Sequence, residues 1–276
     1  MKKTLVIVLY KINPENSITF SSLMNVLKGK SSSEFSIILY DNSPKSQNID
    51  VTRHKGLNIF YEHDSRNLGI AAAYNYAWRA AKENGSEWLI LLDHDTEITS
   101  EYMEQVMNLE EKNSHIAAVV PKINSENQLI SPVYSHSLRP LQGEKPVPGI
   151  QDKAVMAINS GALIRVDFLN EIGGFNEDFP LDYLDHWLFH EIYARGHKVW
   201  LLNVTLEHEL SVMDYSRVSF GRYQSILESE IKFFKHYQHD LYKSYRMQLA
   251  KRFLKQVLTV KNKKIALHTL RRLFFM

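Results

Sequence analysis

Four short, almost unbroken apolar runs dominate the first half of the chain: Thr4–Tyr10, Phe35–Tyr40, Trp88–Leu92 and Ile116–Val120. A strand apolar on both faces must be covered on both faces, and helices that cross between parallel strands supply that cover. The stretches between the runs fit. Ile18, Leu23, Val26 and Leu27 predict a helix between Asn16 and Gly29, and an alanine-rich segment predicts another from Gly69 to Asn84-Gly85. A further helix is expected from Ser100 to about Asn113, and a further strand at Leu57–Tyr61. The rhythm is that of an α/β, Rossmann-like fold, a mostly parallel central sheet flanked by helices.

The second half is less regular. Four of the eight prolines lie between Pro132 and Pro148, so Ser131–Gly149 reads as a long surface loop. Beyond it the pattern predicts a strand at Asn159–Arg165, a short helix at Asp167–Ile172, a helix at Asp185–Arg195 and a last short strand at Lys198–Leu202. From Tyr215 onward only helix is expected. The domains expected are 1–214, divided near residue 98 into halves 1–98 and 99–214, and a basic helical C-terminal extension, 215–276.

Composition excludes several chemistries. With no cysteine the chain forms no disulfide, thiolate zinc site or cysteine nucleophile, which suits the cytosol. The opening MKKTLVIVLYKI reads as a first strand, because Lys11, Asn13 and Pro14 end the apolar run too early for a signal peptide. No stretch reaches the roughly 18 to 20 apolar residues of a membrane span. The net charge of +2 hides an asymmetry: no acid follows Asp240, whereas ten lysines and arginines do. Two apolar stripes run through this tail, one of Leu249, Phe253, Leu254, Val257 and Leu258, the other of Ile265, Leu267, Leu270, Leu273, Phe274 and Phe275. Cationic amphipathic helices of this kind favour an anionic membrane surface, here through 243–276; packing on the rest of the chain or on a sister subunit in an oligomer is the alternative. No basic and aromatic stacking platform for nucleic acid is evident.

The central run Trp88–Leu92 breaks off into Asp93-His94-Asp95-Thr96. Residues two apart share one face of a strand, so Asp93 and Asp95 can offer both carboxylates to one divalent cation holding a phosphate. A plainer alternative makes Asp95 or Thr96 the cap of the next helix. Parallel strands direct their C-terminal ends to one rim, where open α/β sheets bind ligands. Tyr10, Asp41-Asn42, His63-Asp64 with Arg66-Asn67, and Asp93-His94-Asp95 all fall at such ends. An acid after the second strand can accept from a base N–H or a ribose hydroxyl. Arg66 and the helix beginning after Gly69 offer positive charge and free N–H groups to phosphate. Alternatively Asp41-Asn42 is a turn and Asn67 a cap.

The ordered set D-N-S, R-N-L-G-I-A-A-A-Y-N, L-L-D-H-D, N-S-G-A-L-I and G-G-F-N-E-D-F, followed by a downstream aspartate, resembles the family 2 inverting glycosyltransferases of GT-A fold, in their rhamnosyltransferase-like branch, over about residues 4 to 240. The resemblance implies that Tyr10, Asp41, Arg66, Asn67, Gly69, Asn75, Asp93 and His94 line a nucleotide-sugar pocket. It implies that Asp93, Asp95 and His208 hold a divalent metal, Mn2+ or Mg2+. It makes Asp185 the catalytic base, with Asp182 a competitor three residues earlier, and assigns sugar or acceptor contacts to Asn159, Ser160, Gly161, Asp182 and Trp187. Apart from the resemblance, the stretch Tyr215–Tyr223, with Arg217, Arg222 and Tyr223, could close over the diphosphate; a solvated helix face is the alternative.

The expected reaction is metal-dependent transfer of a sugar, with L-rhamnose a candidate, from a dTDP- or UDP-sugar to a hydroxyl of a growing, lipid-linked cell-surface glycan at the cytoplasmic face of the membrane. Two rivals stand beside it. Leu91–Thr96 also resembles the D-x-D-x-T nucleophile motif of haloacid-dehalogenase-type phosphotransferases, with Thr96 one place early, although that motif normally follows the first strand of its fold. The other is a non-catalytic nucleotide-sugar-binding subunit.

Overall fold

The computed structural model describes residues 1–28, 35–47, 49–54, 56–138, 141, 143–208 and 219–275. The chain forms two compact units, Met1–Tyr134 with Glu144–Glu209, and Ser135–Gly143 with Leu210–Met276.

The first unit is built on a nine-stranded mixed sheet. Its elements run β1 (Lys3–Leu9), α1 (Ile18–Leu27), β2 (Phe35–Asp41), β3 (Ile59–His63), α2 (Ile70–Glu83), β4 (Trp88–Leu92), α3 (Ser100–Met107) and β5 (Ile116–Ser125). They continue with β6 (Gln128–Ser131), β7 (Val133–Tyr134), β8 (Gly149–Gln151), β9 (Val155–Met156), β10 (Ala162–Arg165), α4 (Val166–Ile172), α5 (Leu184–Ala194) and β11 (Lys198–Glu207). The strand order is β3-β2-β1-β4-β10-β5-β11-β8, with β6 paired to β5 and β7 paired to β9 outside the sheet. The expected apolar runs are its centre: β1, β2 and β4 are buried along their whole length.

Register fixes a common rim. β1, β2, β3 and β4 are parallel, with Leu9 beside Asp41, Asp41 beside His63, and Ile7 beside Leu92. β10 is antiparallel to both β4 and β5, so it enters the sheet at the end where β4 leaves it, with Ala162 beside Leu91. The expected strand Asn159–Arg165 is thus shortened at its start: Gly161, at φ +81°, turns the chain, and its N–H donates to the Leu91 carbonyl at 2.8 Å.

Other boundaries differ for physical reasons. α3 stops at Met107 instead of Asn113, because 110–114 is wholly polar and Arg165 takes the Glu111 and Asn113 carbonyls with its Nη2 at 3.2 and 3.1 Å. That guanidinium also lies 4.4 Å over the Trp88 ring. The last strand runs to Glu207, not Leu202. Beyond Leu202 its apolar run gives way to alternation, Val204 and Leu206 inward and Asn203, Thr205 and Glu207 outward, and this half pairs with the far end of β5. The stretch 131–149 is not all loop, since Val133–Tyr134 pairs with β9.

α2 ties down the segment before α5. The Asn75 side chain accepts from the Phe175 N–H at 2.8 Å and donates to the Phe175 carbonyl at 2.9 Å and the Glu177 carboxylate at 3.1 Å. The Ala71 N–H donates to the Pro180 carbonyl at 3.2 Å. This approach needs Gly69, whose φ is +90° and whose Cβ, if present, would lie 2.1 Å from the Pro180 oxygen.

The second unit comprises α6 (Phe220–His236), α7 (His239–Thr259) and α8 (Lys263–Phe275). A buried polar node joins the three: the Tyr223 hydroxyl meets Thr269 Oγ1 at 2.6 Å and accepts from Gln256 Nε2 at 2.8 Å, while Thr269 Oγ1 reaches Gln256 Oε1 at 2.7 Å. Glu230, buried, is gripped by both Arg252 nitrogens at 2.6 and 2.7 Å. No described helix is long and apolar enough to cross a membrane.

Gly69→Ala should cost at least about 2 kcal/mol, a fall in Tm of roughly 4–8 °C, because it adds a backbone clash to left-handed strain. Gly85→Ala, at φ +73° with open space around it, carries strain alone and should cost about half as much in the same thermal melt.

Candidate active site

The turn after β4 is lashed from three sides. Thr19 Oγ1 donates to the Asp93 carbonyl at 2.6 Å or the Thr96 carbonyl at 2.8 Å, and accepts from the Thr96 N–H at 2.9 Å. Ser17, the N-cap of α1, gives its hydroxyl proton to the His94 carbonyl at 2.8 Å while accepting from the Phe20 N–H. Neither Asp95 nor Thr96 caps the next helix; Thr99 does, accepting from the Tyr102 N–H.

From the other side, Ser160 Oγ accepts from the Asp93 N–H at 3.1 Å and lies 2.6 Å from Thr96 Oγ1, which lies 2.9 Å from His208 Nδ1. His208 follows β11 and forms a backbone bridge with Thr96, so the full length of β11 is what delivers it. Asp93, Asp95 and His208 each bring a ligand atom within 4.8 Å of the other two. Asp95 Oδ1, 3.4 Å from His208 Nδ1, is buried with no hydrogen-bond partner. An orphaned carboxylate oxygen beside a second carboxylate and an imidazole is a donor set that suits a divalent cation. The three residues are placed to hold one.

Burial, and then the neighbouring Asp95 charge, push the Asp93 carboxyl from 3.8 up to about 6; Asp185 adds to the rise, and His208 and His94 oppose it. Tyr74 on α2 reports the same neighbourhood. Its hydroxyl is buried, and burial together with the Asp93 and Asp185 charges raises its pKa. Asp185 therefore lies near enough for its charge to be felt at Asp93 and Tyr74. It sits in the first turn of α5 and does not cap the helix; Tyr183, at φ +64°, occupies the cap position. The Asp185 carboxylate accepts from the His186 N–H at 2.8 Å and lies 2.9 Å from His186 Nδ1, and the His186 ring stacks on Tyr183 at 4.3 Å.

The remaining expected residues divide. Tyr10 is exposed at the end of β1, and Asn67, at φ +51°, exposes its side chain beside Arg66. Arg66 clamps buried Asp64 through Nε and Nη2, both at 2.8 Å, which holds the Asp64 carboxyl far below its usual range. Its guanidinium is otherwise open, the side chain being 71% exposed. Ser160 and Asn159 are buried at the rim, and the Asn159 Oδ1 has no partner. Asp182 lies in the turn before α5, and Trp187 is buried on the inner side of that helix.

Two expected contacts have partners within the protein. Asp41, expected to receive a base N–H or ribose hydroxyl, is fully buried and accepts from the Ser43 N–H, the Gln47 N–H and the Tyr61 hydroxyl at 2.9, 3.0 and 2.5 Å. It builds the 42–47 turn. Asn75, expected in the pocket wall, clamps the 175–177 turn instead. Tyr223, expected to close over a diphosphate, is locked into the interior of the second unit, and Arg217 lies outside the described residues. Sequence reading missed Thr19, Thr96, His186 and Tyr74, which are ordinary helix and turn residues until the fold brings them together.

Comparison with known proteins now decides the family. The profile of Glycosyl transferase family 2 matches residues 6–173, more than half of the chain. The chain belongs to that family. As a family 2 member it has similarity to the dTDP-rhamnosyl transferase RfbF of Shigella flexneri, 28% identical over 127 residues, covering 44% of this chain and 41% of that one. The chain thus aligns with about two fifths of that curated relative's length. In fold it is similar to S. aureus TarS 1-349, with TM-score 0.57, 14% identity, and 91% and 78% of the two chains covered. The complex of the same protein with UDP-GlcNAc also gives TM-score 0.57 at 14% identity, covering 99% and 80%. The haloacid dehalogenase reading falls away, since the acids follow the fourth strand and the family 2 match spans them.

Charging Asp93 costs the native state more than the unfolded chain. Without a cation the penalty is absent below about pH 4, develops as pH rises from 3.8 to about 6, and is complete above that. Asp93→Asn should therefore stabilise the cation-free protein at pH 7.5, by about 1–3 kcal/mol or at least 2 °C in Tm, and the gain should vanish when both proteins are melted near pH 4.

Proposed function

We propose that the protein transfers a glycosyl residue from a nucleoside diphosphate sugar to a hydroxyl of a growing, lipid-linked cell-surface glycan at the cytoplasmic face of the membrane, with inversion in a single displacement. The observation that carries this reading is an Asp-Asp-His cluster at the rim of a family 2 fold, with the Asp185 carboxylate near enough for its charge to be felt there.

In this mechanism Asp185 accepts the proton of the acceptor hydroxyl as its oxygen attacks the anomeric carbon; the bond from that carbon to the diphosphate oxygen breaks, and the diphosphate leaves with the electron pair. His186 Nδ1, 2.9 Å away, orients the carboxylate. Asp93, Asp95 and His208 would hold a divalent cation, Mn2+ or Mg2+, which would supply positive charge to offset that gathering on the departing diphosphate. The open side of Arg66 adds positive charge for the phosphates, and Asn159, Ser160 and Asp182 border the space for sugar and acceptor. Asp41 and Asn75 act indirectly, by shaping the turns that wall the pocket. The name of RfbF and the UDP and UDP-GlcNAc complexes of TarS make dTDP-L-rhamnose and UDP-sugars the donors to try first.

Asp185→Asn should lower transfer by about 10²–10⁴-fold while leaving the thermal shift produced by donor unchanged. Retention of full activity would remove Asp185 as the base. In the same thermal assay, run with and without manganese, Asp93→Ala should abolish the metal-dependent part of the nucleotide shift; a shift indifferent to chelator and to Asp93 would rule out the cation site. Donor binding with no transfer to any of a broad panel of acceptors would favour a binding subunit.

A further inference from the structure

The second unit turns a row of large apolar side chains outward. On α7, Met247, Leu254 and Leu258 are 64, 62 and 84% exposed. Their spacings of seven and four residues place them within an arc of about 40° on a helix of 3.6 residues per turn, so they form one stripe. The stripe expected from sequence is divided. Leu249, counted there, is buried against the other helices with Tyr245 and Gln256, whereas Leu254 and Leu258 of the same stripe face outward with Met247. On α8, Leu267 and Phe274, seven residues apart, are 66 and 76% exposed, and Phe275 is equally open.

Cations border the α7 row. Lys243 stands four residues before Met247, Lys251 four after it, and Lys255 one after Leu254, which puts all three within about 80° of the stripe. All three are exposed, and none of their ammonium groups makes an ion pair or hydrogen bond among the described residues. Among the described acids of this unit, Glu230 is taken by Arg252 and Glu228 by Arg272, and Asp240, seven residues before Met247, stands exposed at the start of the α7 row; no acid follows it.

An apolar row of this size is costly to leave in water and calls for a partner. A second copy meeting it face to face would set three lysines against three, with only one acid on each copy, Asp240, to offset them. A surface that is both apolar below and negative above meets both requirements. We infer that the α7 row, with its lysines, docks on an anionic phospholipid bilayer, the apolar side chains entering the headgroup boundary and the lysine stems reaching the phosphates. The inference stands apart from the reading of the sugar-transfer site, because docking needs no donor and no base.

The test is co-sedimentation of the full chain with phosphatidylglycerol/phosphatidylcholine vesicles and with phosphatidylcholine vesicles alone, beside a measurement of mass in solution. Binding to the anionic vesicles should exceed binding to the neutral ones by about tenfold or more and weaken with salt. Met247→Ser/Leu254→Ser/Leu258→Ser should reduce it about tenfold, and so should Lys243→Glu/Lys251→Glu/Lys255→Glu, a second route should the first variant fold poorly. Asp185→Asn should bind vesicles like the parent, separating this outcome from loss of transfer. Equal or negligible binding to both vesicle types overturns the inference. So does an apolar-row variant that changes the protomer count in solution yet binds vesicles unchanged, which would make the face an interface between copies.

Discussion

Two carboxylates held side by side in a partly buried turn repel one another, and neither burial nor proximity would persist without restraint. The restraint comes from hydroxyl groups. Thr19 and Ser17 hold the turn's backbone from one side and Ser160 and Thr96 from the other, so the acids cannot swing out to water without breaking several hydrogen bonds at once. The electrostatic cost visible at Asp93 is the counterpart of that rigidity, and it is recovered only when positive charge arrives. A binding site built in this way is preorganised: the repulsion exists before the ligand does, and the ligand relieves it.

The sheet explains why contributions so distant in sequence meet. β10 reverses direction within an otherwise mostly parallel array, and that reversal brings 159–161 to the end of β4 from which Asp93 emerges. β5 and β11 extend past the central strands as a half-exposed pair, and that extra length carries His208 to the same place. Asp185 arrives by a third route, through a turn tied to α2 by Asn75 and by the close approach at Gly69. Three independent supports therefore fix one small volume.

Much of this was legible in the residues. Continuous apolar runs reveal buried strands because their cause is local, and acids directly after such a run must sit at the rim whatever the details of packing. What was not legible depended on partners supplied by folding. Asp41 and Asn75 have the residue types of ligand contacts, but Tyr61 and the 42–47 backbone claim the first, and the 175–177 turn claims the second. The end of β11 was hidden because its apolar run yields to alternation midway, as its surroundings change from two-sided to one-sided burial. The outward row on α7 was misread for a related reason: a three-helix packing chooses which apolar residues to cover, and periodicity alone could not say that Leu249 would be chosen and Leu258 left out.

The contacts among Asp93, Ser160, Thr96 and His208 have one more implication. A hydroxyl has a single proton to give, so the directions along this line are linked. When Nδ1 of His208 carries no proton it accepts from Thr96, whose oxygen then accepts from Ser160, whose oxygen accepts from the Asp93 amide. A ring nitrogen at the end of β11 and the backbone of an acid on another strand are thus the two ends of one hydrogen-bonded line, and neither hydroxyl between them can turn without the other.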